Sequence, residues 1–205
     1  MATDEGDEDI PVLSAYALAA LQEFYDEQIA KQECVNTVQE DWQLSQFWYD
    51  EETTATLAEE CFKESEGNIA CISCPTLYAK LSQDSSCKQS RIVLLEYDKR
   101  FAIHGEDYVH YDYNAPLDVP DSIKSLGFDL VIADPPFLSE ECLTKVSQTI
   151  RLLTTNKIIL CTGTVMGELA KQILQVEECR NFIPRHRNNL ANSFSCYVNY
   201  DSALK

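Results

Sequence analysis

Apolar positions fall into two regimes along this chain. In "VLSAYALAALQEFYDEQIAKQ", Leu13, Ala17, Leu21 and Phe24 recur at helical spacing and Ser14 is placed to cap. That pattern predicts one amphipathic helix, packed on the domain or on a partner. The next stretch, "VNTVQEDWQLSQFWYDEETTATLAEECFKE", predicts an irregular aromatic segment and then a second helix from about Asp50 to Glu64. The acids at the start of that helix suit the positive end of its dipole. From Asn68 onward, short β-rich runs alternate with helical ones. Strands are predicted at "NIACIS", "RIVLLEY", "DYVHYD", "FDLVIAD" and "KIILCTG". Helices are predicted near Thr76–Leu81, Asp98–Ile103, Asp121–Leu126, Glu140–Leu153 and Val165–Gln175. Such alternation means parallel βαβ units, and runs that are apolar on both faces mean a sheet covered on each side. The last two runs, "CRNFIPRH" and "SFSCYVNYD", have no helix between them and predict an antiparallel hairpin joined by the polar loop "RNNLAN".

The expected fold is therefore α/β: one doubly wound sheet with a C-terminal antiparallel hairpin and an N-terminal helical arm. Its expected divisions are an acidic disordered tail over 1–12, a helical segment over 13–66 and the sheet domain over 67–205. "SQDSSCKQS" reads as a polar loop rather than a linker, and no internal repeat is present.

Composition narrows the function classes. Hydrophobic residues make up 45% of the 205 positions, enough for a core. The longest apolar runs are too short to cross a bilayer, and the acidic N-terminus does not read as a secretory signal. Nine cysteines, an odd number without a compact framework, read as reduced thiols, and the expected compartment is the cytoplasm. Cys71 and Cys74 form one C-x-x-C with no second ligand pair, so core thiols are expected there rather than zinc or redox chemistry. The net charge is −18, from 34 acids against 16 bases, and the densest basic cluster is Arg185, His186 and Arg187. Such a field repels polyanions and attracts basic proteins.

Candidate chemistry sits at the ends of strands, where doubly wound sheets bind ligands. Glu96 ends the second strand, Asp112 the third and Asp134 the fourth. The six glycines fit neither G-x-G-x-x-G nor a P-loop, and the loop after the first strand, "SCPTLY", has none. That points away from dinucleotides and ATP, toward a ligand with ribose hydroxyls and a base but no phosphates. Glu96 is placed to accept the ribose hydroxyls. Asp98 reads as a helix cap, and Asp112 as either an Asx-turn or a partner for an adenine amino group. The stretch "FDLVIADPPFLSEE" ends a buried strand in an acid, two prolines and a ring. A strand stop explains the prolines and the ring but not the carboxylate.

These residues resemble the class I S-adenosylmethionine-dependent methyltransferases. "DPPF" is similar to the Asp/Asn-Pro-Pro-Tyr/Phe motif of amino-group methyltransferases. The blocks "LSQFWYDEET", "LLEYDKRF", "YDYN", "IADPPFLSEECL" and "ILCTG", followed by "FIPRHRNNLANSF", resemble one eukaryotic family, the elongation factor 1-alpha lysine methyltransferases. That family was formerly described as N6-adenine-specific DNA methyltransferases. The resemblance implies a Rossmann-like seven-stranded sheet in the order 3-2-1-4-5-7-6, with strand 7 antiparallel. It implies methyl transfer from S-adenosyl-L-methionine, without a metal, to a lysine of a basic protein, translation elongation factor 1-alpha. Asp134, Pro135, Pro136 and Phe137 would form the catalytic turn. Ser73, Cys74, Pro75, Glu96, Tyr97, Asp112, Tyr113 and Asp134 would contact the cofactor, with Phe47 and Trp48 of "QFWY" as a wall or as core. The sequence departs from the wider pattern in two places: "SCPTLY" replaces a glycine-rich first motif, and the motif ring is Phe137 rather than tyrosine.

In this reading Asp134 orients the amine nitrogen and takes up charge as the ammonium forms. Pro135 and Pro136 fix the turn and leave carbonyls free, and Phe137 holds the lysine stem. "RHRNN", covering Arg185–Asn189, reads as a solvated hairpin loop, with substrate contact as the alternative, and His104, His110 and His186 read as surface or strand residues. Two rival readings stand beside this one. Adenine N6 offers the same kind of nucleophile, though the charge opposes nucleic acid. A non-catalytic binding module would fit the missing glycines but not the acids at successive strand ends.

Overall fold

The computed structural model describes residues 17–19, 21–22, 38–83, 90–188 and 190–205. Ala17–Ala19 and Leu21–Gln22 are helical, and the rest of the predicted arm before Val38, like the acidic tail, lies outside the described residues. In chain order the elements are α1 (Glu51–Glu64), β1 (Asn68–Ile72), α2 (Pro75–Gln83), β2 (Ile92–Glu96), β3 (Tyr108–His110), α3 (Asp121–Lys124) and β4 (Phe128–Ala133). They continue as α4 (Glu140–Leu153), β5 (Lys157–Gly163), α5 (Gly167–Leu174), β6 (Glu177–Glu178) and β7 (Phe194–Val198). The sheet order is β3-β2-β1-β4-β5-β7-β6, with β7 antiparallel to both neighbours, as the resemblance implied.

Side-chain alternation explains the two layers. Ile69 and Cys71 of β1, Leu94 of β2, Leu130 and Ile132 of β4, and Ile159 and Cys161 of β5 share one buried face. Leu57 and Cys61 of α1 and Leu77 and Leu81 of α2 cover it. The intervening residues, Ala70, Ile72, Val93, Leu95, Val131, Ala133, Ile158 and Leu160, fill the other face. There Ile123, Val146, Ile150, Ala170 and Leu174 from α3, α4 and α5 close over them. Caps set the helix starts: Asp50 accepts from the Thr53 N–H, and Ser139 from the Cys142 N–H.

Three local expectations need correction. The predicted helix at Asp98–Ile103 is instead a run of 3-10 turns over Lys99–Asp107, broken at Gly105 with φ 61°. The predicted strand "CRNFIPRH" reaches the sheet only at its first residue. Glu177–Glu178 pairs with β7 and the Cys179 N–H donates to the Cys196 carbonyl at 2.8 Å, but the segment around the buried Pro184 leaves the sheet. Proline has no N–H for a ladder, and here the residues just after it pair elsewhere. The Asp50 N–H donates to the Arg185 carbonyl at 3.0 Å and the Arg187 N–H to the Trp48 carbonyl at 2.8 Å, around a bridge between Tyr49 and His186. "RHRNN" is thus not a solvated hairpin loop: its first three residues form a strap against the aromatic segment, and Asn189 lies outside the described residues.

Candidate active site

β2 and β3 lie on one side of β1 and β4 on the other, so the strand order reverses there and a cleft opens at the carboxyl ends of β1 and β4. Four strand ends and two loops line a cavity of about 470 Å³ there. Ligand pockets fall in this range of size.

At the end of β1, Ser73 takes the left-handed backbone with φ 55°, and its N–H donates to the Leu95 carbonyl at 2.9 Å. A glycine would adopt this conformation at lower cost. Cys74 follows, buried and with its pKa pushed well up by burial, and Pro75 opens α2, the first-turn position that best tolerates proline. Cys71 and Cys74 are buried core thiols.

At the end of β2, Glu96 is buried, and one of its carboxylate oxygens accepts from the Asp98 N–H at 3.0 Å. Burial pushes the Glu96 pKa up to about 7. Tyr97 beside it is half-exposed. Asp98 caps the following turn, accepting from the Arg100 N–H at 2.9 Å. Its other oxygen accepts from the Gln46 amide at 2.9 Å and from Arg100 Nε at 2.8 Å. Burial alone would raise the Asp98 pKa, but the Arg100 guanidinium and Gln46 amide outweigh it and hold the carboxylate low. Asp98 is therefore a tether for the aromatic segment and is not among the cavity-lining residues.

At the end of β3, Asp112 accepts from the Asn114 N–H at 2.8 Å in an Asx-turn while also lining the cavity. Tyr113 lies 5.6 Å, centroid to centroid, from Phe137 across the mouth.

At the end of β4, the Asp134 N–H donates to the Ile72 carbonyl at 3.0 Å, which pins the start of the Pro-Pro turn to β1. The Asp134 carboxyl opens to the cavity but sits deep among protein atoms, and burial pushes its pKa up to about 7. The nearby Tyr49 hydroxyl pulls it down and the Glu96 charge pushes it further up. Pro135, Pro136 and Phe137 line the cavity beyond it. A Cβ at Gly163 would lie 2.9 Å from the Leu138 methyl carbons, so a larger residue at the end of β5 would make the Leu138 side chain shift.

The remaining walls come from Gln43–Tyr49 and from His186, Leu190–Asn192 and Phe194. Trp48 is buried against Phe101, with its indole N–H donating to the Val38 carbonyl at 3.2 Å, while Phe47 is half-buried. His186 packs edge-on against Phe194 at 4.6 Å and tilts over Tyr49 at 5.2 Å. Burial pushes its pKa down, against the pull of Glu40 and Asp50. His104 is buried beside Tyr78, so of the three histidines only His110 is the exposed strand residue expected.

Every residue assigned from the sequence to the catalytic turn or to the cofactor lines this one cavity. Sequence reasoning did not single out Tyr111, Leu138, Leu190–Asn192 or Phe194, and it took in Tyr49 and His186 only as members of "QFWY" and "RHRNN". Tyr49 adjoins Phe47 and Trp48, but nothing local ties it to Asp134. Chemically, the cavity offers two carboxylates near neutrality and an aromatic rim, with no glycine-rich anion cradle. Among the described residues no group of three or more metal-ligating side chains occurs, and no helix is long and apolar enough to cross a membrane.

The family model described as "Probable N6-adenine methyltransferase" matches residues 40–202. EEF1A lysine methyltransferase 1 of Homo sapiens is 51% identical, covering 98% of each chain. The protein of the same name in Gallus gallus is 49% identical, covering 98% of this chain and 99% of that one. Protein-lysine N-methyltransferase EFM5 of Saccharomyces cerevisiae is 37% identical, covering 92% of each. Among solved structures, a branched-chain polyamine synthase mutein of Thermus thermophilus, in complex with N4-aminopropylspermidine and 5'-methylthioadenosine, superposes with a TM-score of 0.55 at 15% identity. That match covers 84% of this chain and 61% of the other, and at such identity it speaks for the fold alone.

Proposed function

Because the chain belongs to the family of EEF1A lysine methyltransferase 1, whose family model carries the description of a probable N6-adenine methyltransferase, we propose that it methylates a lysine ε-amine of translation elongation factor 1-alpha, using S-adenosyl-L-methionine. The observation that carries this reading is the meeting of Glu96, Asp134 and the Pro135–Phe137 turn in one cavity at the switch point.

The residues present fit the cofactor. Glu96 has a carboxylate oxygen beyond the one held by Asp98, suited to ribose hydroxyls. The Ser73–Pro75 turn and the start of α2 form the floor, Tyr97 and Asp112 stand at the strand ends for the base, and Phe47 and Trp48 close the apolar side. When bound, the cofactor supplies a sulfonium methyl: the amine lone pair forms the N–C bond as the C–S bond breaks and its electron pair goes to sulfur.

The protein's own part is to deliver a neutral amine in line. A lysine amine has a pKa near ~10.4, so one proton must leave first. Asp134, with a pKa of about 7, is a far better proton acceptor than an ordinary aspartate and still partly ionised at neutrality. Pro135 and Pro136 hold it without backbone donors that would compete for its oxygens. Phe137, 42% exposed at the rim and paired with Tyr113, offers ring faces to the alkyl stem and the cation. The net charge of −18 suits a basic protein and opposes the adenine of a polyanion.

The test is transfer of labelled methyl into cell lysate, with protein and nucleic-acid fractions counted separately. Label on lysine of elongation factor 1-alpha is expected. Label confined to adenine would overturn the substrate assignment.

A further inference from the structure

Tyr49 is 2% exposed, and among the described residues its hydroxyl has no hydrogen-bond partner. A buried hydroxyl left unpaired is unfavourable, and a side chain needed only for packing could be phenylalanine. The contacts that hold Tyr49 explain its ring but not its oxygen. Its backbone sits in the bridge to His186, and its ring lies against the imidazole. The hydroxyl ends on the cavity wall beside the Asp134 carboxyl, close enough to draw its pKa down but outside hydrogen-bond geometry.

We propose that Tyr49 binds and positions the substrate amine together with Asp134, its hydroxyl being left for a partner that the substrate brings. The inference rests on the lysine-methylation reading above. A neutral primary amine has one lone pair and two N–H donors. With the lone pair facing the methyl donor, both N–H groups need acceptors in a cavity that excludes water. One Asp134 oxygen serves the first. The Tyr49 oxygen serves the second while its own proton goes to the other Asp134 oxygen, so the three groups satisfy one another. Burial, and then the Asp134 charge, push the Tyr49 pKa well up, so the hydroxyl keeps its proton throughout.

The pair also sets a pH dependence. The titratable groups facing it are Glu96 at the end of β2, Cys74 after β1, Cys161 of β5 and His186 of the strap, with Asp112 on the same cavity. Tyr49 is the neighbour that pulls the Asp134 pKa down. Removing its hydroxyl must move the acid limb of turnover to higher pH, a change that loosened packing does not produce.

The experiment compares the full chain with Tyr49→Phe on recombinant, unmethylated elongation factor 1-alpha at saturating cofactor. Expected are a kcat lowered at least about ten-fold, the scale of one hydrogen bond to a charged partner, an acid limb displaced upward, cofactor affinity unchanged by calorimetry and a melting temperature no lower than the parent's. A Tyr49→Phe enzyme with the parent's kcat and acid limb overturns the inference. So does a kcat loss that comes with a lower melting temperature and an unmoved limb, which marks a packing role. If the parent binds cofactor yet transfers no methyl to this substrate, the functional reading itself fails, and the inference fails with it.

Discussion

Tyr49 and His186 face each other across a single antiparallel bridge, with ring centroids 5.2 Å apart. Two segments remote in sequence thus close one wall of the cavity, and the wall depends on their contact. His186→Ala removes a ring held between Tyr49 and Phe194. The expected result is faster amide exchange at Asp50 and Arg187, whose N–H groups flank the bridge, with the sheet core unchanged. Unaltered protection at those two amides would show that the strap is held by its backbone alone.

Asp134 is expected to trade stability for chemistry. Its folded pKa is raised to about 7, so between roughly pH 4 and 7 the native state binds the extra proton, and stability falls as pH rises through that window. Asp134→Asn removes the buried charge. At pH 8 it is expected to melt higher, by an amount corresponding to roughly 1–3 kcal/mol, given about 1.4 kcal/mol per pKa unit. The same change is expected to lower kcat by ~10²–10³-fold. Calorimetric melting and turnover at one pH check both halves, and an amide variant that is less stable yet fully active refutes both.

Glu96 must be ionised to accept two ribose hydroxyls well, and burial places its pKa at about 7. Cofactor affinity is therefore expected to rise as pH climbs from about 6 to 8, then level off. Glu96→Gln should flatten that dependence and weaken binding by about 1.5–3 kcal/mol at pH 8. Isothermal titration across the range decides it. A parent whose affinity ignores pH while the glutamine variant binds equally well removes Glu96 from the ribose.

Phe137 stands at the rim with 42% of its surface exposed, which is more than packing requires. Phe137→Tyr should retain most activity, since the added hydroxyl points to an open mouth. Phe137→Ala should raise the KM for the protein substrate several-fold, with cofactor affinity unmoved, because about 1 kcal/mol of ring contact is lost. Steady-state kinetics with varied substrate separates the two constants. An alanine variant with the parent's KM returns the ring to the turn's own packing.

The local chemistry of the chain was enough to lay out the sheet. Continuous apolar runs at Ile69–Ile72, Ile92–Leu95 and Leu130–Ala133, with helical segments between them, specify parallel strands buried on both faces. Glu96 and Asp134, which end the second and third of those runs, follow from the same pattern, since a strand end is a local event. What the strands and loops touch is not local. "FIPRH" has the alternation of a strand, yet its partner is the Trp48–Asp50 segment rather than β7, because Pro184 and the register at Glu177–Glu178 release it from the sheet. Ser73 adopts a backbone that its residue type disfavours, held by the Leu95 carbonyl and by the start of α2. The pKa values near 7 at Glu96 and Asp134, and the unpaired Tyr49 hydroxyl beside Asp134, arise only when four strand ends and two loops shut water out of one space. Residue identity determined which groups were available, and desolvation, which belongs to the packed molecule alone, decided how they behave.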